Sequence, residues 1–205
     1  MKRLLICIAF FIGFTTSGMG QSIQLADSLF QRGQDFDDRG KMAESEFYYR
    51  EAYNLYRQFQ DTASWLEAGK EYGSAMVYRS KNDQAMELYK MLLAVDHPAN
   101  DAYNRGDLYT SMGWSSNRVG NRDQAEKYYN KALPLAKESG DSLLIGTVYN
   151  NLGSLYNREG NISKSLEYYE RALPYYTNRR YRSVTLSNIG RIYDELSLND
   201  RALEY

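Results

Sequence analysis

The chain has 205 residues, with 25 lysines and arginines against 26 aspartates and glutamates, one histidine and one cysteine. A formal net charge of −1 offers no electrostatic attraction for nucleic acid or an anionic membrane surface. A single histidine and a single cysteine supply no ligand set of the zinc type, so metal chemistry of that kind is excluded.

The first twenty residues differ from everything after them. Lys2 and Arg3 are followed by an apolar run from Leu4 to Phe14, then by TTSGMG with small residues at Gly18 and Gly20. Basic start, short apolar core and small-residue exit predict a secretory signal peptide over 1–20, cleaved after Gly20. The apolar run would rise only about 16 Å as a helix, well short of a hydrocarbon core of about 30 Å. Cys7 interrupts the apolar core instead of following it, which argues against a lipid acceptor. The mature chain would carry no thiol and suit an oxidising, extracytoplasmic or periplasmic compartment. Losing the leader removes two basic residues and no acidic ones, leaving 23 against 26 and a net charge of −3.

From 21 to 205 the chain repeats. Gly33, Gly73, Gly113 and Gly153 are forty residues apart, and Gly190 follows after thirty-seven. A small residue trails each glycine by twelve: Ser45, Ala85, Ala125, Ser165 and Ala202. An aromatic trails by sixteen (Tyr49, Tyr89, Tyr129, Tyr169), and Ala52, Leu92, Ala132 or Ala172 trails by nineteen. A fixed period of this size means one supersecondary unit stacked on copies of itself. The units fall at about 22–61, 62–101, 102–141, 142–180 and 181–205, the last incomplete.

Each unit reads as two helices. In the third copy GDLYTSMGWSSNRVG is the first, with Leu108, Met112 and Val119 among its apolar positions. Gly120-Asn121 turns the chain, and RDQAEKYYNKALPLAKES is the second helix, with apolar and small residues at three- and four-residue steps. Turns recur at Gly40, Gly120 and Gly160, with Ser80 and Ser197 in the other two copies. Ser139-Gly140-Asp141 and Asp96-His97-Pro98 break the chain between units. Pro134 and Pro174, also forty apart, predict a shared kink in the second helix. Most of the twenty tyrosines are expected to fill space between stacked helices.

The pattern Tyr149-Asn150-Asn151-Leu152-Gly153-Ser154-Leu155-Tyr156, then Gly160-Asn161, then Ser165 to Tyr169 and Ala172-Leu173-Pro174, resembles the tetratricopeptide repeat. The resemblance covers about Ser22 to Tyr205, with Arg32 replacing the usual leucine in the first copy. It implies an all-α fold, a right-handed α-solenoid of stacked helix-turn-helix units. It also implies a concave groove lined by the first helices, which takes a peptide or protein segment. The groove positions lie three residues before the glycine and one, four and five after it. They include Lys70 and Tyr78 in the second copy, Thr110, Trp114, Asn117 and Arg118 in the third, and Asn150, Asn157 and Arg158 in the fourth. The fifth adds Arg191, and the first adds Phe30, Gln34, Asp37 and Asp38. The Asn-Arg pairs offer backbone hydrogen bonding and bidentate carboxylate binding, and Trp114 offers an apolar platform. The family's carboxylate clamp for chaperone tails is expected to be absent. Lys70 fits it, but Ser74, Ser111, Thr147 and Asn151 stand where asparagine, asparagine, lysine and arginine are required.

No catalytic constellation is legible. His97 lies beside Pro98 in a linker, there is no G-x-S-x-G, and glycines forty residues apart cannot form a phosphate-cradling loop. Asn161-Ile162-Ser163 is a glycosylation sequon read as chance. The expectation is a non-catalytic, exported interaction scaffold without cofactor or metal, the N-terminal part of a longer sensor or regulatory protein. Two other readings stay open: the regulatory arm of a caspase-like peptidase, and a structural oligomer. The last would self-associate through an uncapped C-terminal repeat, where Leu186, Ile189, Ile192, Tyr193 and Leu203 lack a following unit.

Overall fold

The computed structural model describes residues 16–197, with side chains from Ser22 onward. Most of the leader, and the last-unit positions Ala202, Leu203 and Tyr205, lie outside the described residues. Helices α1 (Thr16–Asp38), α2 (Met42–Gln58), α3 (Thr62–Tyr78) and α4 (Asn82–Leu93) make the first two pairs. They are followed by α5 (Ala102–Arg118), α6 (Arg122–Ser139), α7 (Ser142–Arg158), α8 (Ile162–Ala172) and α9 (Arg179–Glu195). The described residues contain no strand, and the fold is an all-α solenoid of successive helix pairs. Helix α1 runs across the bond expected to be cleaved after Gly20.

Local chemistry sets the helix ends. Side-chain oxygens of Asp61, Asp101 and Asp141 accept from the amides of Ser64, Asn104 and Leu144, capping α3, α5 and α7. Asn121, Asn161 and Asn178 do the same for α6, α8 and α9. Each cap satisfies a backbone donor that has no partner inside its helix. At the turn within each pair one residue takes a left-handed conformation: Gly40 at φ 68°, Ser80 at 61°, Gly120 at 81°, Gly160 at 75° and Ser197 at 59°. Glycine occupies that region without steric cost, whereas serine does not.

The glycine column is explained by its tyrosines. Each tyrosine sixteen residues later sets one edge of its ring against the backbone of the preceding helix. A β-carbon at Gly33 would fall 2.6 Å from the Tyr49 ring, at Gly113 2.5 Å from Tyr129, and at Gly153 2.6 Å from Tyr169; Gly73 meets Tyr89 in the same way. No real β-carbon tolerates that approach, so glycine lets the two helices of a unit close on a large ring. Those four rings and the columns Ser45, Ala85, Ala125, Ser165 and Ala52, Leu92, Ala132, Ala172 are all buried. A ring of this size buries about 150–250 Å², so each contributes on the order of 4–6 kcal/mol of apolar transfer before entropy is charged against it.

Three sequence expectations need correction. Val119 is 57 % exposed and caps α5 instead of joining its apolar stripe. Its position follows the last helical turn, where the chain already swings out to Gly120. The prolines do not act alike: Pro134 stays inside α6, but α8 stops at Ala172 and Pro174 sits in a short 3-10 turn over Leu173–Tyr175. Ile189 and Ile192 are fully buried in a cluster with Tyr169, so neither supplies an exposed face for self-association.

Candidate functional site

First helices and their neighbours border a common space. A cavity of about 470 Å³ is lined by Asp37 and Asp38 of α1, Thr147 and Asn150 of α7, Tyr176, and Arg180, Tyr181, Val184 and Thr185 of α9. Residues from the first, fourth and fifth pairs therefore meet across the inner side of the array. Asn150 is committed on one side only. Its Oδ1 accepts from Thr185 Oγ1 at 3.0 Å, which leaves the Nδ2 hydrogens as donors.

Nearer the N-terminal end the same side is acidic. Lys70 Nζ donates to Asp107 Oδ2 at 2.7 Å and lies 3.4 Å from Glu71 Oε1. Burial would lower the Lys70 ammonium, but the charges of Asp107 and Glu71 outweigh it and raise it. Burial raises the Glu71 carboxyl, with Lys70 offsetting part of that. The carboxyl of Asp37 is raised by burial and then by Asp38 beside it. Burial, then Glu71, Asp37 and Asp38, push the Tyr49 phenol up, so these carboxylates converge on one region. Lys70, expected as a groove position, is ion-paired with the protein's own Asp107 and Glu71.

A second feature lies on the neighbouring stripe. Tyr78 and Trp114 pack with ring centroids 4.8 Å apart, and the Arg118 guanidinium lies 5.1 Å from the Trp114 centroid and 5.5 Å from that of Tyr78. Tyr78 is 47 % exposed and Trp114 half-buried, so one edge of this stack faces solvent while the other joins the core.

The remaining expected groove residues divide by helical geometry. Thr110 and Asn117 are 4 % and 5 % exposed. They lie three before and four after buried Gly113, hence on the same helix face, and point into the packing. Thr110 Oγ1 donates back to the Gly106 carbonyl at 2.8 Å. Arg158 Nη1 donates to the Asn117 carbonyl at 2.9 Å, adding a second donor to an oxygen that already accepts from the Gly120 amide at 3.1 Å. Arg158 is thus a tie between units. Asn157 is half-buried, and Arg191 is exposed near the Tyr169 phenol.

Other polar contacts carried no signal in the repeat columns used to predict the groove. Buried Glu46 accepts from Arg79 at 2.7 Å and Lys81 at 2.6 Å, joining α2 to the turn after α3. Tyr156 donates to Glu126. The caps Asp61, Asp101 and Asp141 were missed as well, although their spacing of forty is a signal that could have found them. Among the described residues no group of three or more His, Cys, Asp or Glu is placed to hold a metal ion, and no helix is long and apolar enough to cross a membrane.

Residues 115–178 match the tetratricopeptide repeat family. No curated protein sequence matches the chain. Among solved structures, the chain is similar to BtubC (BKLC) from P. vanneervenii, with a TM-score of 0.66 and 18 % identity over 92 % of this chain and 85 % of that one. It is similar to aspartyl phosphate phosphatase F from Bacillus subtilis, with a TM-score of 0.69 and 14 % identity over 90 % of this chain and 58 % of that one. A Rap protein complexed with competence and sporulation factor gives a TM-score of 0.68 and 14 % identity, over 88 % of this chain and 61 % of that one. At such identities the likeness shows the fold, an all-α solenoid of stacked helix pairs.

Proposed function

We propose that the array is a non-catalytic interaction module that holds a peptide or protein segment on its inner face. The observation that carries this reading is the cavity between α1, α7 and α9, where Asn150 offers unused amide donors beside an aromatic wall of Tyr176 and Tyr181. Amide donors suit a peptide backbone, and 470 Å³ falls within the usual range of about 300–1,000 Å³ for ligand pockets. The match to tetratricopeptide repeats, and the Rap protein complexed with a factor, support the reading by analogy. A random hexapeptide library panned on the chain tests it. Retained peptides should lose at least about tenfold in affinity on Asn150→Ala, with helicity unchanged. Equal binding by the variant would remove the cavity from the account.

Export through the leader at 1–20 belongs to the same proposal and rests on the basic start and apolar run. Fractionation of cells expressing the tagged chain checks it. We place the array as the recognition part of a longer sensor or regulatory protein, with the arm of a caspase-like peptidase as the alternative; both rest on resemblance. For self-assembly, Val184 and Leu196 are exposed apolar residues on the fifth pair, and sedimentation at high concentration reads it directly.

A further inference from the structure

Asp37 and Asp38 line the same cavity as Arg180, yet no cation lies within 4.0 Å of either carboxylate and no carboxylate lies within 4.0 Å of Arg180 among the described residues. Unlike charges that border one space without pairing remain available to a ligand. Elsewhere the chain closes such pairs, as at Lys70–Asp107 (2.7 Å) and Glu46–Lys81 (2.6 Å). Between the two walls stand the Asn150 amide donors and the rings of Tyr176 and Tyr181. A helix about 10 Å across would fit for little more than one turn in 470 Å³, so the space suits a short extended segment.

Resting on the peptide-binding reading above, we infer that the cavity selects a short peptide by its charge pattern: a cationic group against Asp37 and Asp38, and a carbonyl or carboxylate against Arg180 and Asn150. The order follows from the walls. A carboxylate pair accepts from an ammonium or guanidinium, and guanidinium and amide groups donate to oxygen. The nearby acids strengthen the preference, because Glu71 and Asp107 outnumber Lys70 and leave that side net negative. The cation can be a side chain or a free chain terminus, two sources of one chemistry.

The test is affinity selection by the full chain from hexapeptide pools with lysine, glutamine or glutamate at one scanned position, each with a free or acetylated amino end, read by mass spectrometry. Lysine pools should be enriched about tenfold over glutamine pools and more over glutamate pools. If acetylation, and not loss of lysine, removes the enrichment, the amino terminus is the cation and the inference stands. Asp37→Asn with Asp38→Asn should flatten the enrichment while the circular dichroism spectrum stays that of the parent. Arg180→Gln should instead lower retention of peptides with a free carboxylate. Retention without a preference for cations, or a preference untouched by the double variant, overturns this inference alone. No retention of any pool overturns the peptide-binding reading with it.

Discussion

The ring of Tyr129 lies so close to Gly113 that a β-carbon there would sit 2.5 Å from Cε1. The ring is fully buried and cannot swing aside. Alanine in a helix normally gains about 1 kcal/mol over glycine, but overpacking costs about 1–3 kcal/mol and here involves a rigid ring. Gly113→Ala should therefore destabilise the array by about 1–2 kcal/mol in urea unfolding. The cost should shrink in a Tyr129→Leu background. Stabilisation by the alanine would refute the close approach.

Ser80 and Gly120 occupy equivalent turns, at φ 61° and 81°. Residues with a β-carbon are strained there by about 1–2 kcal/mol, so opposite substitutions should have opposite signs. Ser80→Gly is expected to stabilise by about 0.5–1 kcal/mol, and Gly120→Ala to destabilise by about 1 kcal/mol. Thermal melts of the two variants, run side by side, decide it.

Burial would raise the Glu46 carboxyl, but hydrogen bonds from Lys81 and Arg79 override that and bring it below its ordinary value of 4.5. A carboxyl lowered in the folded state adds stability that is fully present above the unfolded value and fades as pH falls through the folded one. Glu46→Gln should cost about 1–2 kcal/mol at pH 7, less than a fully buried pair because Arg79 and Lys81 reach water. The gap between parent and variant should narrow as pH falls below 4.5 and close once Glu46 is protonated in the folded state, in urea titrations. A gap independent of pH would assign the loss to packing.

Lys70→Met leaves Glu71 and Asp107 together without their cation. The Glu71 carboxyl, already raised by burial, would lose the cation that lowers it and rise further, destabilising the fold while ionised and relaxing as it protonates. The variant should be weaker than the parent at pH 8 and recover part of the difference by pH 5. A constant difference across that range would show that the network is not felt electrostatically.

Arg158 and Trp114, as groove positions, would be replaceable without cost to the fold if they met only a ligand. Their contacts predict otherwise. Arg158→Ala removes a charge-assisted bond to the Asn117 carbonyl and should cost about 1 kcal/mol. Trp114→Ala opens the stack with Tyr78 and should cost about 1–3 kcal/mol, short of a core truncation because the ring is half-buried. Calorimetry of both separates these costs from any effect on binding.

Period alone determined the helix pairs, their left-handed turns, and the glycine and tyrosine columns. Those features depend on contacts inside one unit, and each unit carries its own copy. The Asp61, Asp101 and Asp141 caps went unread but share the same spacing and could have been found, since a cap needs only residues three apart along the chain. Repeat position placed Thr110 and Asn117 in the groove, whereas both are buried on the face they share with Gly113. Tertiary structure alone decided the rest. That Asp37 and Asp38 border the same cavity as Arg180, that Lys70 is neutralised by Asp107, and that Arg158 reaches the Asn117 carbonyl depend on how successive units are rotated against one another. That rotation is the sum of small packing offsets at every interface, and no single column of the repeat encodes it.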